Sequence, residues 1–206
     1  MLVSHDYKFI LVKTKKTAGS SIQAYLEPYC ENGHITRNHP ESHMPAEEIR
    51  KLIGEEAWNS YLKITPIRNP WDKMVSLYYW RTRKRSAIAK IRRFLWLKWS
   101  DDPARKMTFT EHVKYLNKIN EVNIDKDVIY VDGKVPEYEY IRFEHLLDDM
   151  KAVCEKIGVP FEPERLPNKK GGVRKAQGYQ NHYDEESKAI VAQAYTFEIE
   201  KFGYTF

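Results

Sequence analysis

The 206-residue chain has only two cysteines and no apolar run long enough to cross a membrane. Cys30 and Cys154 match no zinc-ligand spacing, and in a chain without a secretory signal they are expected to be free thiols. No apolar stretch approaches the roughly 18 residues that a membrane span needs. Residues 1–8 lack the apolar core of a signal peptide. These absences predict a soluble, cytoplasmic protein.

Glycine is also scarce, with nine residues, and the chain contains no Gly-x4-Gly-Lys-Ser/Thr sequence. This absence argues against the Walker A loop of P-loop nucleotide-binding enzymes. The chain also has no clear hydrophobic strand that ends in an aspartate able to hold magnesium. We therefore expect no metal site. A P-loop-like nucleotide kinase remains an alternative function at this point.

The remaining composition is that of one globular α/β domain spanning residues 1–206, with 42% hydrophobic and 31% charged residues. Strands alternate with helices, which predicts a P-loop-like parallel sheet with helices on both faces. In such sheets ligands gather at the carboxyl ends of the strands. The predicted elements are the strands Tyr7–Val12 and Leu62–Ile67, a hairpin of 127–131 with 135–143, and the helices Ser20–Glu27, 146–157 and one capped by Asp184.

The segment Lys16–Ser21 is the most informative part of the chain. It follows the apolar run Phe9–Val12 and leads into Ile22–Leu26, an order that predicts strand, tight small-residue loop and helix. Such a loop directs backbone N–H groups and the positive end of the helix dipole at one spot, which suits a phosphate. The lysine adds a mobile positive charge, and the serine and threonine hydroxyls add donors. A serine-capped helix without a ligand would also fit this composition.

A second polar segment follows the strand Leu62–Ile67. Asn69 is a good N-cap and Pro70 stands at the favoured first helical position, so Arg68 projects from the carboxyl end of the strand. Ser76 lies about 9 Å further along the helix, at about 1.5 Å rise per residue. Arginine has the planar donor fork that matches phosphate, and it can share one oxyanion with a serine hydroxyl.

These segments resemble sulfotransferases that use 3′-phosphoadenosine 5′-phosphosulfate (PAPS). Lys16–Ser21 is similar to their 5′-phosphosulfate loop, in the Pro-Lys-Thr-Ala-Gly-Thr-Ser form of carbohydrate sulfotransferases of the heparan-sulfate 2-O type and their bacterial relatives. Lys15 stands where that family often has proline. Arg68 with Ser76 resembles the family's 3′-phosphate motif, and residues 140–144 and 202–206 also resemble it.

The resemblance implies the sulfotransferase fold and transfer of a sulfuryl group from PAPS to an acceptor hydroxyl or amine, without a metal. Lys16 would stabilise charge on the leaving oxygen. The loop would hold the 5′-phosphate, and Arg68 and Ser76 the 3′-phosphate. The charge of the basic loop 169–175 fits either a loop that closes over the nucleotide or a solvated surface loop. The residues expected to bind the donor are Lys15, Lys16, Thr17, Ala18, Gly19, Ser20, Ser21, Arg68, Ser76, Arg174 and Lys175.

An acceptor hydroxyl also needs a general base. We favour His43, because it precedes Pro45 and the helix that this proline opens, and a helix N-terminus disfavours imidazolium. In the family, a histidine between the two phosphate motifs has this role, and His43 resembles it in position. The other candidates are His34, His39 and the carboxylates of Glu41 and Glu48.

The segment Arg81–Lys106 is strongly basic, with ten Lys and Arg residues against two Asp. Apolar residues recur at helical spacing within it, which predicts an amphipathic helix. Its charged face could be solvated, could contact an anionic or carbohydrate acceptor, or could lie on anionic lipid. A nucleic-acid-binding module is a further alternative. That alternative leaves Lys16 and Arg68 unexplained, so we expect no nucleic-acid partner.

Overall fold

The structure is a computed structural model, and it describes residues 1–37, 41–83, 103–167 and 178–206. The chain divides into two compact units. The first unit consists of Met1–Arg68 and Ile124–Gly171, and the second consists of Asn69–Asn123 and Gly172–Phe206. The helices are α1 (Gly19–Leu26), α2 (Ala46–Ile53), α3 (Glu55–Ser60), α4 (Pro70–Thr82), α5 (Phe109–Lys118), α6 (Leu146–Ile157), α7 (Glu185–Ala194) and α8 (Thr196–Phe202).

A five-stranded sheet organises the first unit, in the order β3-β1-β2-β4-β5. The predicted α/β class is confirmed, but only β2, β4 and β5 run parallel to one another. Strand β1 is antiparallel to both β2 and β3, because a short turn joins β1 to β2 and only antiparallel neighbours can be joined that way. The strands are β1 (Leu2–Ser4), β2 (Phe9–Leu11), β3 (Gly33–Ile35), β4 (Leu62–Ile67) and β5 (Glu139–Arg142).

Helices cover both faces of this sheet. Helices α1 and α6 pack on one face, where Ile22 and Met150 join Phe9 and Ile64 in one buried cluster. Both cysteines belong to the same cluster and are unbridged, as predicted. Lys63 of β4 has its side chain on the opposite face from Ile64, since successive side chains of a strand alternate. Its ammonium donates to the Trp58 carbonyl at 2.7 Å, which places α3 on that face.

The second unit consists of helices. Helix α4 packs against α5 and α7. It begins as predicted, with the Asn69 side chain accepting hydrogen bonds from two backbone N–H groups of the first turn and Pro70 as the first helical residue. Buried His112 of α5 lies 3.1 Å from the Arg81 guanidinium of α4. No helix within the described ranges combines the length and apolar character that crossing a bilayer requires.

The structure differs from the sequence prediction in three places. The turn at Asp132 and Gly133 is present with positive φ at both residues, but its arms form one bridge only, because β5 pairs with β4 instead. The segment between Cys30 and His43, for which the sequence predicts neither strand nor helix, contains strand β3. The last helix, capped by Asp184 as predicted, is interrupted at Tyr195, whose buried hydroxyl donates to the Val122 carbonyl.

Candidate functional site

The loop between β2 and α1 has an unusual backbone conformation. Lys16 has φ of +65° and Ala18 has φ of +60°, both in the left-handed region that residues other than glycine rarely adopt. Such strain persists where surrounding contacts enforce it, and it concentrates at functional sites. Alternation of left- and right-handed residues is also how a backbone forms an anion-binding concavity.

The first N–H groups of α1 are available to a ligand. Ser21 and Ile22 donate to the Ala18 carbonyl. Within the part of the chain that the structure describes, the backbone N–H groups of Ala18, Gly19 and Ser20 have no hydrogen-bond acceptor. Helix N-termini with such groups bind anions, because the N–H dipoles and the helix dipole act together. The backbone of this loop therefore fits a phosphate.

The hydroxyls of the loop do not all face the same way. Thr14 donates to the Pro66 carbonyl of β4, so its hydroxyl accepts in the 3.0 Å contact with Thr17 Oγ1, which also donates to the Thr14 carbonyl at 3.2 Å. Thr17 is only 1% exposed. Its side chain therefore binds Thr14, and Thr14 holds this part of the loop against the neighbouring strand. Ser20 lies partly exposed on the first turn of α1.

Lys15 fastens the loop to the segment that follows residue 123. Its backbone N–H donates to Asp125 Oδ1 at 2.9 Å, and its ammonium donates to the Ile124 carbonyl at 2.7 Å. Asp125 is buried. The structure thus gives Lys15 a tethering contact in place of the proline that the resembled family often has there.

Arg68 reaches the same loop from the end of β4. Its guanidinium donates to the Lys16 carbonyl at 3.0 Å. The guanidinium also lies over the ring of Phe143, 3.8 Å from the ring centroid, which fixes its plane through a cation–π contact. Two of the predicted positive residues, Lys16 and Arg68, are therefore in direct contact at the carboxyl ends of parallel strands.

His43 also lies against this loop. Its Nδ1 is 2.8 Å from the Lys13 carbonyl, and a carbonyl only accepts, so Nδ1 carries the proton and Nε2 the lone pair. Burial lowers the pKa of His43 to about 4, with the positive charges of Lys13 and Lys15 acting in the same direction. The imidazole is therefore neutral at pH 7. Burial is the main cause of this neutrality, ahead of the nearby charges.

The remaining predicted residues either belong to other elements or lie outside the described ranges. Ser76 lies partly exposed on α4 of the second unit. His34 belongs to β3 and packs edge to face on His5, with the ring centroids 5.6 Å apart. Exposed Glu48 lies on α2. His39, Arg174, Lys175, most of the segment 81–106 and the side chain of Glu41 lie outside the described residues.

The first unit contains a cavity of about 500 Å³. Pro45, which follows His43 by two residues in the sequence, lines it, and it is bounded by α2 and by the segment around Tyr130. Its walls combine carboxylates, ammonium groups and one phenol ring, which are hydrogen-bonding groups of both signs. The lining residues are Pro45, Glu47, Glu48, Lys51, Lys126, Asp127, Tyr130 and Gly133.

Comparison with known proteins identifies the family. The family model described as "Sulfotransferase family" matches residues 1–205. The chain belongs to the sulfotransferase family. This sulfotransferase-family chain is also 28% identical over 120 residues to an uncharacterized protein of Archaeoglobus fulgidus, an alignment that covers 58% of the chain and 86% of that protein. No solved structure matches it significantly. Family membership supports sulfuryl transfer in general.

Several residues around the candidate site were not predicted. Lys13, Asp125 and Phe143 contact predicted residues, and Gln23 contacts Lys13. Of these four, only Phe143 lies in a segment that resembles the family. For Lys13 a signal existed, since a lysine at the end of a buried apolar strand needs a partner. For Phe143 the signal was weaker, because an aromatic residue after a strand usually belongs to the core.

Proposed function

We propose that this protein transfers a sulfuryl group from PAPS to a hydroxyl or amine of a carbohydrate or glycolipid acceptor. The observation that carries the proposal is the loop before α1, where N–H groups that lack an acceptor among the described residues lie beside Lys16, and Arg68 contacts the same lysine. PAPS has phosphate groups at both ends of its ribose, and it supplies the sulfuryl group.

At the 5′ side, the N–H groups of Ala18, Gly19 and Ser20 would hold the phosphate. The ammonium of Lys16 would stabilise the charge that develops on the oxygen leaving sulfur, where a positioned charge gives the largest catalytic effect. Thr17 and Lys15 support this arrangement indirectly, since their contacts hold the loop in place.

At the 3′ side, Arg68 would bind the phosphate that distinguishes PAPS from ordinary adenylates. The support is its position at the end of β4 and the planar contact with Phe143, which leaves the guanidinium oriented before a ligand arrives. The assignment of Ser76 to the same phosphate, and of Arg174 and Lys175 to the nucleotide, rests on the family resemblance.

The acceptor side would use His43 as the general base. A base must be neutral and must present a lone pair, and burial together with the Nδ1 hydrogen bond meets both requirements. The cavity lined by Pro45 would receive the acceptor. Its mixed donors and acceptors, with the ring of Tyr130, suit a hydroxyl-rich sugar. The resemblance to carbohydrate sulfotransferases of the heparan-sulfate 2-O type favours the same acceptor class.

Calorimetric titration with 3′-phosphoadenosine 5′-phosphate (PAP) and with 5′-AMP tests the proposal. We expect PAP to bind about ten- to a hundredfold more tightly, because a charge-assisted contact to the 3′-phosphate contributes about 1.5–3 kcal/mol. Arg68→Met should remove most of this difference while 5′-AMP affinity changes little. Equal affinities in the wild-type protein would contradict the 3′-phosphate assignment.

A further inference from the structure

Lys13 is a buried lysine that the proposed chemistry does not use. It follows β2 by two residues and is only 4% exposed. Its ammonium donates to Gln23 Oε1 of α1 at 2.7 Å, and Gln23 is equally buried. A buried ammonium carries a large desolvation cost, so its retention beneath the loop needs a reason beyond packing.

The surroundings of Lys13 connect it to the rest of the site. Its side chain runs against Gly19, so closely that a methyl group there would lie 2.6 Å from Lys13 Cγ. Its carbonyl accepts the hydrogen bond from His43 Nδ1. One residue therefore contacts the first helical residue of the loop, the second turn of α1 and the candidate base.

We propose that Lys13 is a positioning residue whose buried ammonium, held by Gln23, makes the loop and the neighbouring His43 site electropositive from beneath. The inference rests on the proposed function for its effect on the nucleotide, whereas its effect on His43 is independent of any ligand. The helix N-terminus is already positive, so a cation placed under it costs free energy that an anion on the loop would recover.

The effect on His43 has an electrostatic origin that can be separated from its hydrogen bond. The charged groups that act on this imidazole are Lys13 and Lys15, which disfavour its protonation, and Asp125, which favours it. Removing the Lys13 charge leaves the backbone carbonyl in place, so the ring keeps its orientation. A negative charge at position 23 would offset the same cation without shortening any side chain.

The experiment uses Lys13→Met and Gln23→Glu, with Lys63→Met as the matched control. Lys63 is a half-buried lysine of the sheet. Its ammonium binds carbonyl groups at the end of α3 and directly after that helix. The His43 pKa is measured by NMR of the imidazole, and PAP affinity by calorimetry. Both test variants should raise the His43 pKa by about 0.5–1 and weaken PAP binding by about tenfold. The control should change neither value.

The two readouts separate this inference from the proposed function. If wild-type protein fails to bind PAP, the proposed function is wrong, and the NMR titration still decides the role of Lys13. An unchanged His43 pKa in both test variants overturns the inference. If Lys13→Met fails to fold, the result for Gln23→Glu decides the role of Lys13, because that variant replaces the side-chain amide by a negatively charged carboxylate of nearly the same shape. An equal rise of the His43 pKa in Lys63→Met would show a general charge effect and also overturn it.

Discussion

Lys15 and Lys16 are neighbours in the sequence, yet the structure gives them different surroundings. The ammonium of Lys15 is held by the Ile124 carbonyl, and its N–H by Asp125. Lys16 takes a left-handed backbone conformation and offers its carbonyl to Arg68. We therefore propose that Lys16 supplies the charge at the leaving oxygen, whereas Lys15 fixes the loop.

Replacing each lysine by methionine should reveal this division. We expect Lys16→Met to reduce kcat by about a hundredfold or more and to weaken PAP binding less, because its contact strengthens in the transition state. Lys15→Met should lower the melting temperature and reduce kcat much less. Steady-state kinetics with labelled PAPS and thermal unfolding provide both measurements. A larger kcat loss in Lys15→Met would move the catalytic charge to that residue.

The proposed role of His43 as general base predicts a defined pH dependence. The His43 pKa, lowered to about 4 by burial, keeps the imidazole neutral above that pH. As the pH falls through about 4, the ring takes up a proton and can no longer accept one from the acceptor. The acid limb of kcat/KM should therefore lie near pH 4, well below the ordinary histidine value of about 6.5.

The control for this pH prediction is His43→Ala, which should lose about a hundredfold to ten-thousandfold in kcat and spare PAP binding. The acid limb should disappear from the profile of the residual activity. A limb that persists in this variant belongs to another group, and a carboxylate such as Glu48 then becomes the candidate base.

At the scale of secondary structure, local signals predicted some elements and failed for others. Helix α6 has the predicted bounds, because Gly158 directly follows it in a left-handed conformation and ends it. The prediction of the strand Leu62–Ile67 was also correct, although this strand is internal to the sheet and contains Pro66 near its end. Strand β1 was missed, since three residues are too few for a recognisable pattern. The hairpin failed because pairing with β4, a non-local contact, determines where β5 lies.

The sequence likewise predicted some residues of the candidate site and missed others. The loop residues and Arg68 belong to motifs of fixed spacing, and in the structure the Arg68 guanidinium donates to the Lys16 carbonyl. Lys13 and Asp125 lie more than 100 residues apart in sequence, and both contribute to the surroundings of His43. No spacing rule connects them, because only the folded sheet places them together.

Gly19 tests how closely α1 must approach the end of β2. A methyl group there would lie 2.6 Å from Lys13 Cγ and 3.4 Å from the Thr14 carbonyl oxygen. Gly19→Ala should therefore displace the first turn, costing about 1–3 kcal/mol of stability and at least about tenfold in PAP affinity. Chemical denaturation and calorimetry measure the two effects.

Gly158→Ala is the matched control for that change. Gly158 has φ of +72°. Apart from its chain neighbours, no described atom lies within 4 Å of the position that an added methyl group would take. Its replacement by alanine is therefore strained by backbone conformation alone. We expect a loss of about 1 kcal/mol of stability with unchanged PAP affinity. If Gly19→Ala behaved like this control, close packing at the loop would not matter for the nucleotide.

At the scale of the whole molecule, charge is concentrated between residues 81 and 106. The described ends of this segment already make intramolecular contacts: Arg83 lies over the Trp80 ring, and Arg105 donates to the Arg83 carbonyl. We propose that the remaining cations contact an anionic acceptor. Reversing Arg92 and Arg93 to glutamate should raise the KM of that acceptor and leave the KM of PAPS nearly unchanged.

The effect of this reversal should shrink with added salt, because exposed charges are screened within about 10 Å at 0.1 M. Acceptor kinetics at low and high ionic strength measure it. If the segment instead lies on lipid, the same variant should lose binding to anionic vesicles and retain its acceptor KM. Unchanged behaviour in both assays would indicate that the charged face of this segment contacts only solvent.

The division of the first unit into two stretches of chain has a consequence for synthesis on the ribosome. Strands β1 to β4 emerge first, and the partner that completes the parallel part of the sheet, β5, emerges about 70 residues later. Until then the outer edge of β4 presents unpaired N–H and C=O groups, which are a template for unwanted pairing. The nascent chain is therefore most exposed to aggregation while residues 68–138, between these strands, are being synthesised.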